Sequence, residues 1–374
     1  MTQPIMIVAG EVSGDIHAGN LMREMPAVLP DASAFGVGGE NLAAAGMEIL
    51  VETGELAHMG LVEVLRELPR LRGIMDRLVA AAADRRPGVA VLVDSPDFNL
   101  RLARRLKAIG IPVVLYVSPQ LWAWRRGRVN VVKELAHEVL CILPFEVDFY
   151  AEHGVPARYV GHPLLDDFAR SGLGGDPVPG SPEVLALLPG SRPMEVRTLL
   201  PAMLDALARL GRDEVREARL VEAPGIGPVV DEALGGIRTD PRLIRCRGAS
   251  RRQALAECGR AWTASGTATL ECALLDVPMI VGYRLARVSW WLARALVRVP
   301  HVALVNLIAD ERAAPEILQH AWTGERLAAA TRDLTGEALD RQRTALVRVR
   351  ERLGHAGASR SAAEAVASVL QSAQ

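Results

Sequence analysis

Short apolar runs with little polar interruption alternate along the chain with glycine-containing turns and amphipathic stretches. Residues 4–9 (PIMIVA) lead into the turn 10–15 and a helix predicted from about 16 to 25. Residues 88–93 (GVAVLV) lead into Asp94-Ser-Pro-Asp97 and a helix from about 99 to 109. Further strands are predicted at 111–116, 139–143 and 158–160. Runs apolar at every position suit strands covered on both faces, and their alternation with helices predicts a parallel sheet.

The rhythm pauses at 171–182 (SGLGGDPVPGSP), almost all Gly, Pro and Ser, which is the natural linker. It restarts with strands at 184–188, 219–223, near Trp262 and at 278–283, and a long helix over about 193–210. An Ala/Arg-rich helical tail follows from about 323, with a break at 354–359, and Ser361-Ala-Ala-Glu364 matches a capping box for a last helix. The expectation is an α/β protein of two doubly wound, Rossmann-like domains facing a cleft. Residues 1–170 form the first domain, 171–182 the linker and 183–345 the second domain. Helices in 346–374 have the option of packing back on the first.

A length of 374 residues fits two domains. A formal net charge of −1 argues against a general nucleic-acid binder. Arginine supplies nearly all the positive charge, with lysine only at Lys107 and Lys133. Cys141, Cys246, Cys258 and Cys272 form no C-x-x-C pair and read as reduced thiols of a cytosolic protein. The N-terminus lacks a basic signal-peptide region, and no apolar run reaches membrane-spanning length.

Open α/β sheets bind ligands beyond the carboxyl ends of their strands. Asp94 and Asp97 stand at such an end, where an ionised carboxylate escapes the cost of burial. Asp94 is the candidate general base and Asp97 the candidate helix cap. From this stretch alone, capping or turn-forming roles for both stay open. Two further turns open helices with glycine and N–H groups, as an anion site would. In Leu188-Pro-Gly-Ser-Arg192 the candidates are Gly190, Ser191 and Arg192, the last a fork suited to phosphate. In the second, Ser265, Gly266 and Thr267 precede Glu271, placed to accept from ribose hydroxyls. Together they suggest a nucleotide diphosphate. The chain has no Walker lysine, G-x-G-x-x-G or D-x-D metal clamp. In the first half Ser13 and Gly14 are candidates for acceptor binding, with Asp15 as a helix-start residue; Asn306 is a further candidate facing the cleft.

Beyond these turns, the chain resembles the lipid-A-disaccharide synthases, UDP-sugar glycosyltransferases of the two-Rossmann-domain (GT-B) type. The resemblance rests on AGEVSGD (9–15), GVGGE (36–40), ELAHMGLVEVL (55–65), DSPDFN (94–99), YVSPQLWAWR (116–125), LPFEVDFY (143–150), GHPLLD (161–166), LPGSR (188–192), SGTATLE (265–271), VGYR (281–284) and NLIA (306–309). It implies transfer of 2,3-diacylglucosamine from its UDP derivative to 2,3-diacylglucosamine 1-phosphate. The products are the β-1,6-linked disaccharide 1-phosphate and UDP. The anomeric centre inverts in one displacement, with neither metal nor cofactor. By resemblance Asp94 is the base, Arg192, Ser265, Gly266 and Thr267 stabilise the departing UDP, and Glu271 holds its ribose. His58 and Val305 depart from the family pattern and leave the loop near Asn306 open.

Lipid substrates imply a membrane-facing surface. In 59–79, Leu61, Val64, Leu65, Leu68, Leu71, Met75 and Leu78 follow helical spacing among Arg66, Arg70, Arg72 and Arg77, with Pro69 expected to split two short helices. Leu65, Leu68, Leu71, Arg66 and Arg70 are the candidates for membrane or acyl-chain contact. A stripe at 284–298 (Arg287, Trp290, Trp291, Arg294, Arg298) suits membrane or subunit contact equally, and Trp122, Trp124, Arg125, Arg126 and Arg128 form a third cluster. Apolar residues at such spacing also build cores and dimer seams. His162 is a second base, a donor-orienting group or a structural histidine. The expected partners are the UDP-diacylglucosamine donor, the monophosphate acceptor and the inner-membrane surface, with no nucleic acid and a homodimer left open. The expected location is cytoplasmic, peripheral on that membrane. Two alternatives stand beside this one. A UDP-N-acetylglucosamine 2-epimerase-like enzyme would need no basic–apolar stretch at 59–79. A non-catalytic binding protein would need no Asp94.

Overall fold

Two parallel sheets organise the chain in the computed structural model, which describes residues 3–57, 64–235, 240–285 and 299–372, the side chains at 57 and 64–68 aside. The first sheet holds β1 (Ile5–Ala9), β2 (Ala34–Gly38), β3 (Glu48–Glu52), β4 (Val89–Val93), β5 (Val113–Tyr116), β6 (Glu138–Cys141) and β7 (Ala157–Tyr159). Their spatial order is β3-β2-β1-β4-β5-β6-β7. The second holds β8 (Ser181–Leu188), β9 (Glu217–Val221), β10 (Leu243–Cys246), β11 (Cys258–Ala264), β12 (Met279–Tyr283) and β13 (Glu316–Leu318), in the order β10-β9-β8-β11-β12-β13. Both are doubly wound, as the alternation of runs and helices anticipates.

The chain divides into one unit of Met1–Asp167 with His355–Gln374 and a second of Phe168–Gly354. In the first, Ile5, Ile7, Val91 and Val93 pack with Leu21 and Met22 of the helix Val12–Glu24 and with Ala362, Val366 and Leu370 of the helix Ala358–Ser372. In the second, Leu185, Leu187 and Trp262 pack with Leu199 and Met203 of the helix Pro193–Arg209 and with Trp322. The helix Gly336–Leu353 belongs to this second unit.

Four strands escape the hydrophobic pattern. β2 reads AFGVG, β3 EILVE, β10 LIRC and β13 EIL, each short, charged or glycine-bearing. Gly36 in β2 has φ 147, and a Cβ there would lie 2.0 Å from the Ile7 carbonyl oxygen. Only glycine allows that approach of β2 to β1.

Three local expectations are corrected. The first helix begins at Val12 and not near 16, with Asp15 still in its first turn. Pro69 does not split 64–85, which is one helix, Val64–Arg85. Its proline sits near the N-terminal end and costs one backbone bond, while the face bearing Ile74, Leu78 and Ala82 is buried. The capping box at Ser361–Glu364 does not form. The helix starts earlier, at Ala358, and Glu364 pairs with Arg360 at 2.9 Å. His58, Leu61 and the stripe residues from Arg287 to Arg298 lie outside the described residues.

Candidate functional site

In each sheet the winding reverses between two adjacent strands, and the crevice expected there receives two loops. In the first unit these strands are β1 and β4, paired to their ends at Ala9 and Val93. The loops that leave them bring Gly10 against Ser95, where a Cβ on Gly10 would meet the Ser95 hydroxyl oxygen at 2.5 Å. Asp94 and Ser95 both take left-handed backbone, φ 53 and 43. Asp94 is fixed by its N–H donating to the Tyr116 carbonyl at 3.1 Å, and its carbonyl accepts from the Asn99 amide at 2.7 Å. The Ser95 N–H donates to Asp94 Oδ1 at 2.9 Å. Burial pushes the Asp94 carboxyl above its ordinary range, against the Ser95 hydrogen bond and the charge of His17. A carboxylate in strained backbone with a raised proton affinity has the attributes of a general base.

Asp97 is not the cap. The helix opens at Pro96, its first residue, and Asp97 is exposed and takes Arg128 at 2.6 Å and Arg125 at 3.4 Å. Ser13 is exposed in the first turn of the helix Val12–Glu24, and Gly14 is buried with Val93 Cγ1 3.5 Å from its notional Cβ. Asp15 serves the next helix, Glu40–Ala44. Its carboxylate accepts from the N–H of Gly39 at 2.7 Å, of Asn41 at 3.0 Å and of Leu42 at 3.2 Å. Burial pushes its proton affinity up, but the Asn41 amide and those N–H groups prevail and hold it below the usual range.

Two histidines extend the surroundings of Asp94: His17 is near enough for their charges to interact, and His162 is in turn near His17. His17 has a buried Nδ1 without a hydrogen-bond partner, and burial pushes its imidazole down while Asp167 and Asp94 pull it up. His162 is buried, and its Nδ1 accepts the Leu164 N–H at 3.2 Å in the first turn of the helix Pro163–Arg170. Burial, then the charge of His17, pushes it down to about 4. The ring is therefore neutral near pH 7, with Nδ1 engaged by that backbone N–H.

In the second unit the reversal lies between β8 and β11, paired up to Leu188 and Thr263. The turns 188–192 and 265–267 therefore leave adjacent strand ends. Gly190 has φ 112, Gly266 φ 124, and Gly266 caps the helix Thr267–Leu274. Ser265 donates its hydroxyl to the Val302 carbonyl at 2.9 Å, while Thr267 is exposed. The Arg192 side chain is 82% exposed and only loosely tied to Glu195, at 3.4 Å. It lies close enough to Tyr283 for its charge to offset the rise that burial gives the Tyr283 hydroxyl.

Here the structure adds what sequence reasoning missed. The N–H groups of Ser191 and Arg192 are not open to an anion as the site stands; both donate to Glu195 Oε2, at 3.0 and 3.2 Å. An acid three residues into a helix reaching back to its start is a readable signal. Glu271 is buried, and its oxygens accept from Arg251 at 2.9 and 3.1 Å and from Arg252 at 3.0 Å. Asn306 does not present its amide to a ligand. It is fully buried, donates to the Ala314 carbonyl at 2.9 Å and Glu316 at 2.8 Å, and accepts from the Ala314 N–H at 2.7 Å.

Leu65, Arg66 and Leu68 lie on the helix Val64–Arg85, where the backbone alone is described. Leu71 is half-buried, and Arg70 is exposed with its guanidinium donating to the Glu55 carbonyl at 2.7 Å. Leu78 belongs to the core. Among the described residues no helix is long and apolar enough to cross a membrane, and no group of three or more His, Cys, Asp or Glu side chains is arranged to hold a metal.

Residues 5–369 match the family model described as lipid-A-disaccharide synthetase. The lipid-A-disaccharide synthase of Myxococcus xanthus (strain DK1622) is 43% identical over 389 residues, covering 99% of each chain. Among solved structures, the glycotransferase of kitacinnamycin superposes with a TM-score of 0.65 at 17% identity, covering 99% of this chain and 100% of that one. The UDP-GlcNAc 2-epimerase from Neisseria meningitidis does so at 0.63 and 10%, covering 97% and 99%. At such identities the structures share the fold alone.

Proposed function

The chain belongs to the lipid-A-disaccharide synthetase family, a glycosyltransferase family of the GT-B fold, and from that premise we propose how its residues divide the reaction. The chain joins a 2,3-diacylglucosamine unit from its UDP derivative to 2,3-diacylglucosamine 1-phosphate, as the family's lipid A chemistry requires. The acceptor 6-hydroxyl oxygen attacks the donor anomeric carbon from the face opposite UDP. The new glycosidic bond forms as the carbon–phosphate oxygen bond breaks, and UDP departs with the electron pair. Asp94 takes the hydroxyl proton.

The observation that carries this assignment is the setting of Asp94. It ends a central strand at the winding reversal, in left-handed backbone, with burial raising its proton affinity towards the range a base at neutral pH needs. Ser13 and Gly14 border the same crevice and are assigned to the acceptor.

The donor's diphosphate is assigned to the second unit's turns, with the Arg192 fork and the N–H groups of Gly266 and Thr267 as the charge-stabilising groups. Glu195 already occupies two N–H groups of the first turn, so Arg192 acts through its guanidinium unless Glu195 turns away. Glu271, tied to two arginines, keeps lone-pair capacity for a ribose hydroxyl. Attachment to the inner-membrane surface and dimerisation are part of the proposal, the former through the arginine-rich helix Val64–Arg85.

Incubating the purified chain with donor and acceptor and resolving products by mass spectrometry tests the whole. Disaccharide 1-phosphate and UDP are expected. Epimerisation of UDP-N-acetylglucosamine without disaccharide would transfer the chain to the other activity.

A further inference from the structure

A second cluster stands beside Asp94 without a role in the division above. We infer that the loop after β5, through Arg125 and Arg128 backed by Trp124, binds the phosphate monoester of the lipid acceptor. This rests on the glycosyl-transfer assignment and adds the group that recognises the acceptor's charge.

The loop begins where Asp94 is anchored. Val93 pairs with Tyr116, and the Asp94 N–H donates to the Tyr116 carbonyl. Val117 has φ 59, a conformation costly for a β-branched residue, and Arg125 has φ 57. Buried contacts hold the loop in this shape. Trp122 donates its indole N–H to Glu146 at 3.0 Å and meets Phe145 edge-on at 4.9 Å. Tyr150 donates its hydroxyl to the Pro119 carbonyl at 3.0 Å. From that frame Trp124 projects, 41% exposed, with the Arg125 guanidinium 4.3 Å from its ring centre.

The charges do not balance. Residues 117–128 carry Arg125, Arg126 and Arg128 and no acid. The only carboxylate that Arg125 and Arg128 meet in the described contacts is Asp97, through a single oxygen at 3.4 and 2.6 Å. All three side chains are substantially exposed, so these pairs orient the guanidiniums and hold them weakly. Two forks converging on one oxygen leave N–H donors for the three oxygens of a phosphate. The spacing also suits the acceptor. Its 6-hydroxyl, carried on C5 through C6, and its anomeric phosphate on C1 flank the ring oxygen without touching each other. A phosphate-binding cation therefore belongs near the base but not in contact with it. Asp97, which gathers the arginines, follows Asp94 by three residues and lies in the first turn of the helix that the Asp94 turn opens into. An exposed tryptophan beside arginine suits the level at which a lipid headgroup meets water.

The test is steady-state kinetics in mixed micelles with Arg125→Gln and the double variant Arg125→Gln/Arg128→Gln, with the acceptor carrying or lacking its 1-phosphate. The wild type should prefer the phosphorylated acceptor. The double variant should raise the acceptor KM about tenfold or more, leave the donor KM unchanged and lose that preference. Arg125→Lys should recover part of it. An unchanged acceptor KM and preference in both Gln variants, with circular dichroism showing intact folds, would overturn the assignment. A parallel arm measures sedimentation with phosphatidylglycerol and phosphatidylcholine vesicles. Lost binding to the anionic vesicles with an unchanged acceptor KM also overturns it, and gives the loop to the bilayer's phosphates instead. Failure of the transferase assignment itself would show separately, as no disaccharide from the wild type.

Discussion

Asp166 and Ser359 are joined by two hydrogen bonds across a separation of 193 residues, the Ser359 N–H and hydroxyl donating to Asp166 Oδ2 at 2.8 and 2.6 Å. The N–H groups of Gly357 and Ala358 donate to the other oxygen at 2.5 and 3.1 Å. One carboxylate from the GHPLLD segment thus caps the last helix and ties it to the first unit. Burial alone would raise the Asp166 carboxyl, but Ser359 and the backbone N–H groups outweigh it and hold it below its ordinary range. Its stabilisation is therefore present above the unfolded carboxylate range and is lost as pH falls through the lower folded value. Asp166→Ala should cost about 1–2 kcal/mol, the upper span for a helix cap. Urea melts would measure it, with hydrogen exchange accelerated across 358–372.

Asp94→Asn should reduce turnover by roughly 10²–10⁴. Because burial raises the native proton affinity of Asp94, its ionised form weakens the fold at pH values above the folded pKa. Removing that charge should leave the melting temperature at pH 7.5 unchanged or higher. A variant with wild-type turnover would release Asp94 from its role as base.

Arg192→Ala should weaken UDP binding by about tenfold or more, the usual worth of a charge-assisted contact. The side chain is so exposed that the fold should not change. Isothermal calorimetry reads the affinity, and an unchanged value would remove Arg192 from the donor site.

His162 predicts the acid limb of stability. Its folded value is pushed down to about 4, from an ordinary value of 6.5. The unfolded chain therefore takes up a proton between those values that the folded chain refuses. Stability is complete above about pH 6.5 and declines as pH falls towards 4. The charge of His17 adds to the downward push on His162, while His17 itself is lowered by burial against the pull of Asp167 and Asp94. His162→Asn, which keeps an acceptor for the Leu164 N–H, should flatten it. Thermal melts at stepped pH would show an unchanged slope if another group is responsible.

The linear pattern alone determined the doubly wound α/β class, the central strands β1, β4, β8 and β11, and the turns at Asp94, Gly190 and Gly266, because covered strands must be apolar throughout and left-handed turns favour glycine. Its motifs carried the family likewise. Only the tertiary structure decided which group each polar side chain serves. Asp15 left its own helix for Gly39 and Asn41, Asp97 gathered Arg125 and Arg128, Asn306 bridged to Ala314 and Glu316, and Asp166 replaced the local cap of a helix that follows it by almost 200 residues. A hydrogen bond depends on where its partner lies in space, and a carboxylate's neighbours in sequence say little about that. The edge strands β3, β10 and β13 stayed hidden for a related reason. A strand at the margin of a sheet needs few apolar side chains, since it is chosen by the free backbone groups of the strand already in place.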